Sequence, residues 1–164
     1  MEMDTLMQNL RRGLLAGLIA TIVLSALMVA NSAFEVMPAP DFPMMIADMM
    51  GKPDMPFIGW GVHFSVGVVG YGATMALLDA RLPCDSHVVH GVILGFVGWV
   101  IMMVVVMLLL LLMPMFGAIL AAMSLNTLNP VMTLALHLIF GAVLGWVYSW
   151  PFQVEASMPA ARAH

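Results

Sequence analysis

Four long apolar runs without a single Asp, Glu, Lys or Arg dominate the chain, at about residues 13–30, 57–78, 90–112 and 130–150. A helix that crosses a bilayer needs about 20 apolar residues at 1.5 Å of rise each, and each run is close to that length. Inside hydrocarbon every backbone N–H and C=O must find a partner within the segment, which leaves helices as the economical solution for separate runs. The expectation is an all-α integral membrane four-helix bundle forming a single domain over residues 1–164. The first run is read as a retained span and not a cleaved signal peptide, since about 18 apolar residues exceed the 7–15 of a signal core. Asn129 and Pro130 open the fourth span as N-cap and first helical residue, where the missing proline N–H removes a donor that would be unpaired anyway.

Composition narrows the partners. Of 164 residues, 63% are hydrophobic and 9% charged, against roughly 25% charged in soluble domains. The net charge of −4 supplies no basic stripe for nucleic acid and no polybasic patch for a lipid surface. Lys and Arg instead set orientation. With the N-terminus inside, Arg11, Arg12, Arg81 and Arg162 are cytoplasmic and Lys52 alone among the cations lies outside, so both termini are predicted cytoplasmic. The outer connection from residue 36 to 56 carries Pro38, Pro40, Pro43, Pro53 and Pro56, which forbid one continuous helix. A short interfacial helix is expected from Asp41 to Met50, with Asp41 as its cap and Gly51 as its stop. Residues 115–124 are its expected counterpart.

The halves 10–80 and 88–150 echo one another. Gly13-x3-Gly17 in the first span corresponds to Gly91-x3-Gly95 in the third, and His63-x3-Gly67 in the second to His137-x3-Gly141 in the fourth. Gly17 and His63 are 46 residues apart, Gly95 and His137 42. Because each half crosses twice, the copies run in the same direction, and the prediction is two parallel helical-hairpin repeats. Small residues four apart, such as Gly13, Gly17, Thr21 and Ser25, lie on one helix face and permit close helix contact.

The absence of intramembrane carboxylates, lysines and arginines argues against proton pumps and ion-coupled carriers, and no catalytic or phosphate-cradling motif is present. A non-enzymatic role follows. His63 and His137 are the two ionisable groups at depth, each some 9–11 Å below the outer surface by helical rise. One reading makes them register-fixing hydrogen bonders. Another makes them a ligand pair for haem b, with Gly67 and Gly141 leaving room for the macrocycle, although only Lys52 is available for the propionates. A third makes them ligands for copper(I) together with Met28, Met107 and Met132, in a chain holding 19 methionines. Cys84, the single cysteine, precedes His87 and His90 in a short inner connection, a weak zinc pattern better read as a solvated loop.

The segments GLIAT (17–21), GWGVHF (59–64), HGVILGFVGW (90–99), MPMFGA (113–118) and MTLALHLIFGAVLGWVY (132–148) resemble a widespread family of small uncharacterised bacterial four-span membrane proteins, a domain of unknown function. The resemblance covers roughly residues 10–150 and implies a bacterial inner-membrane location and a four-helix fold, with no activity attached. The resulting expectation is an accessory or scaffold subunit whose partners are the bilayer and a membrane protein or a second copy. A haem or copper carrier and a passive small-solute pore are the alternatives.

Overall fold

The computed structural model describes residues 2–34, 41–82, 85–112 and 130–151, and every regular element among them is helical. Helix α1 runs Glu2–Phe34 and includes the first span. Helix α2 is short, Phe42–Met49. The second span is composite: α3 (Pro56–Ser65), a π-helical turn (Val66–Tyr71), α4 (Gly72–Leu78) and a 3₁₀ turn (Asp79–Arg81). Helix α5 (His87–Leu112) is the third span and α6 (Pro130–Tyr148) the fourth. All four are long and apolar enough to cross a membrane. Helix α1 begins 11 residues before the apolar run, because nothing from Glu2 to Arg12 breaks a helix.

The outer connection follows its local chemistry. The Asp41 carboxylate accepts from the Met44 N–H at 3.0 Å, capping α2, and Pro43 sits in its first turn. Gly51 takes φ of +67°, a left-handed conformation open to glycine at no steric cost, and terminates the segment. Residues 115–124 and Asn129 lie outside the described residues. Helix α2 folds back on the start of α3, where Gly59 is so close to the Pro43 carbonyl that no side chain fits between them.

Glycine contacts hold the spans together. In the first half Gly13 meets the backbone of Gly72, and Gly17 meets Gly67 O and the Val68 backbone; in the second half Gly91 meets Gly141 and Gly145, and Gly95 meets His137 and Gly141. The partners on the fourth span are four residues apart, as one face of an α-helix requires. Those on the second span, Gly67 and Gly72, are five apart. In a regular α-helix that spacing would turn Gly72 away from α1. The π turn at Val66–Tyr71 absorbs the extra residue and returns Gly72 to the contact face. Tyr71, carried by that turn, points instead at Phe140 (ring centroids 4.9 Å apart) and at Gly98.

The first span packs on the second and the fourth, and the fourth on the third. The second and third spans meet only lightly, through α4, through Tyr71 against Gly98 and through Asp79 near the start of α5. The buried core, including Ala16, Ala20, Met75, Leu144 and Val147, is displaced toward the end carrying Arg12 and Arg81. Arg12 closes that end: its Nη2 donates to Tyr148 O at 2.8 Å and its guanidinium lies 5.1 Å from the Tyr148 ring centre, so a cation meets the negative end of α6.

A methyl group at Gly141 would strike the Gly91 carbonyl, whereas one at Gly61 would meet nothing within 4 Å. Gly141→Ala is therefore expected to destabilise the protein by about 1–3 kcal/mol, and Gly61→Ala to leave it equal or slightly more stable. Thermal melting of the two variants in detergent checks both signs.

Candidate functional site

The light contact between the second and third spans leaves a cavity of about 510 Å³ among the helices. All four spans line it, and Phe42 and Ile46 of α2 cover its loop end. The walls are mostly aliphatic and aromatic, with Thr21, Tyr71, Thr74 and Thr133 as hydroxyl groups and His63 and His137 as imidazoles. This volume lies within the roughly 300–1,000 Å³ of small-molecule sites, which combine apolar walls with a few placed polar groups.

Each histidine owes its position to the start of its own helix. The second span begins at Pro56 and the fourth at Pro130, and each histidine follows seven residues later. At 1.5 Å per residue both therefore sit about 10 Å along their helices. His137 Nδ1 donates to Thr133 O at 2.8 Å. A carbonyl only accepts, so Nδ1 bears the proton and the neutral ring keeps its lone pair on Nε2. His63 Nε2 is 3.2 Å from Ser25 Oγ on the first span, and its ring stands edge-on to Trp60 at 5.7 Å. Nearby, Trp99 Nε1 donates to Thr133 Oγ1 at 3.1 Å, and that hydroxyl donates to Pro130 O at 3.1 Å, so its donor and acceptor functions are both used.

The sequence-derived candidates separate here. His63, His137 and Met28 line one cavity. Met107 is 73% exposed on the third span, and Met132 is half-buried; Met102 is the second methionine on the cavity wall. Gly67 lines the cavity while abutting Thr21 of the first span, whereas Gly141 abuts Gly91 and Val92 and is not among the lining residues. Tyr71 enters the site through the π turn, whose sequence trace is the five-residue step from Gly67 to Gly72.

A second polar cluster lies at the opposite end. Asp79 Oδ1 is 2.7 Å from both His87 Nδ1 and His90 Nδ1. Asp79 closes the second span by sequence, and its approach to the histidines depends on how the chain reverses before α5. Asp85 is exposed, and Cys84 lies outside the described residues.

The model of a family of unknown function, DUF6789, matches residues 7–156. The chain belongs to this family. No curated protein and no solved structure matches the chain. Family membership thus supplies no chemistry, and the reading rests on the geometry just described.

Replacing Thr133 by Val removes the acceptor for the Trp99 N–H inside an apolar bundle. The expected loss is about 0.6–2 kcal/mol of stability, together with a change in tryptophan emission; thermal melting and fluorescence spectra of Thr133→Val test it.

Proposed function

We propose that this protein is a non-enzymatic accessory subunit of the bacterial inner membrane that holds a lipid-soluble molecule in its intramembrane cavity. The carrying observation is that His63 and His137 reach one apolar cavity from equivalent positions on two spans. A ligand with an apolar body and a hydroxyl or carbonyl group matches these walls. Its hydroxyl would donate to the lone pair on His137 Nε2, and its carbonyl would accept from the His63 ring or the Tyr71 hydroxyl. Entry from the bilayer between the second and third spans suits such a molecule, because those helices touch only lightly.

The same reading includes two tandem hairpins, supported by the matching glycine pairs in the two halves, with the π turn as the one-residue difference between them. It also places both termini in the cytoplasm, on the positive-inside rule applied to Arg11, Arg12 and Arg81. Haem b and copper(I) remain the alternatives at this site. Met28 and Met102 beside two imidazoles favour copper over haem, since thioether and imidazole suit the soft ion.

Protein purified in nanodiscs is expected to release, on solvent extraction, about one molecule per chain of a single lipid-soluble compound. Leu136→Trp, which fills the cavity from the fourth span, should abolish that recovery while leaving the helical circular-dichroism spectrum intact. Mass spectrometry of both extracts decides: recovery of bulk lipid alone, in membrane proportions, defeats the apolar-ligand reading. A Soret band, or stoichiometric copper by elemental analysis, replaces it with the corresponding cofactor.

A further inference from the structure

The Asp79, His87 and His90 cluster plays no part in the cavity and draws its residues from both sides of the second-to-third span turn. His87 and His90 are three apart in the first turn of α5, so their rings leave one helix face together. Asp79 reaches them from the 3₁₀ turn that ends the second span. Both Nδ1 atoms point at the same oxygen, Asp79 Oδ1, at 2.7 Å each, and the three candidate donor atoms all lie within 4.8 Å of one another.

Burial makes this convergence informative. His90 is 3% exposed and the Asp79 side chain 14%, while the His87 side chain keeps 39% of its surface. The other nitrogen of the buried ring, His90 Nε2, has no hydrogen-bond partner among the described residues. Among the described residues the hydrogen bond of that imidazole runs through Nδ1 into the cluster. Among the described residues, the ion-pairing groups facing the Asp79 carboxylate are the two imidazoles, without Lys or Arg. A carboxylate withdrawn from water needs positive charge or strong donors close by.

We infer that Asp79, His87 and His90 form a binding site for a divalent transition-metal ion, zinc by ligand type, at the end of the bundle that carries Arg12 and Arg81. Two imidazole nitrogens and one carboxylate oxygen are a common three-ligand set for zinc, with bonds of about 2.0–2.2 Å and donors about 3.3 Å apart in a tetrahedral site. Opening the two 2.7 Å contacts by about 0.6 Å each would admit the ion. The partly exposed His87 side provides the path of entry and room for a fourth ligand from water. Binding would replace the two Nδ1–H···Asp79 hydrogen bonds with metal bonds, the displaced Nδ1 protons shifting to Nε2 or leaving to water, and would tie the second span to the third, which helix packing joins only lightly.

The test uses the full-length, tag-free protein in detergent, stripped with a chelator and titrated calorimetrically with zinc chloride alone. The wild type should bind about one zinc per chain and melt at a higher temperature with zinc than without it. Asp79→Asn keeps the side-chain shape and one acceptor oxygen; it should fold, by circular dichroism, yet bind zinc about tenfold more weakly or worse and lose the thermal shift. His87→Ala, at the more exposed position, should behave in the same way. No zinc binding by the wild type, or binding and thermal shift unchanged in both variants, overturns the site and leaves a hydrogen-bonded clasp.

Discussion

Backbone-to-backbone contact through glycine is the interaction on which this bundle depends. Lipid tails are as apolar as leucine, so helices gain no hydrophobic free energy by leaving lipid for one another. Dispersion must supply the attraction, and it decays within fractions of an ångström of the best separation. A side chain of any size at Gly13, Gly17, Gly91 or Gly141 would lift one helix off the next, because each faces the backbone of its neighbour. The first span is consequently closest to the second, and the third to the fourth, where their glycines oppose one another, and a wider space remains among the spans on the side where they do not.

That space gives the cavity its character. Polar side chains inside the membrane must satisfy their donors locally, and many here bond back to their own helix: Thr21 to Gly17 O at 2.7 Å, Thr74 to Gly70 O at 2.6 Å and His137 to Thr133 O at 2.8 Å. Such bonds consume donors but leave acceptor capacity facing inward. The outcome is an apolar chamber with a small, ordered set of polar atoms, a combination suited to orienting a lipid-soluble guest. The π turn belongs to the same economy, since the extra residue that keeps Gly72 on the first span also swings Tyr71 toward the fourth and third.

The two ends of the bundle are built differently. At the loop end a capped eight-residue helix covers the cavity. At the other end polar groups join one span to another: Arg12 reaches across the sequence to the last carbonyls of the fourth span, and Asp79 gathers two histidines of the third across the short turn before it. Charge is thus confined to the margins of the apolar slab, where water can share in its solvation.

Length and hydropathy determined by themselves that there are four membrane-spanning helices, since the demand for internal hydrogen bonding allows an apolar run little else. Local chemistry was equally legible in the Asp41 cap, the Gly51 stop and the proline start of the fourth span, because each depends on residues within one turn. The glycine spacings also announced which faces would pack. Tertiary structure alone decided which helices became neighbours, that the second and third spans would stay loosely joined around a cavity, and that Asp79 would meet His87 and His90. Those outcomes turn on crossing geometry and on the path of a chain reversal, in which contacts between distant residues compete. Even the π turn, hinted at by one five-residue step, acquires its meaning only when Gly13 is found opposite Gly72.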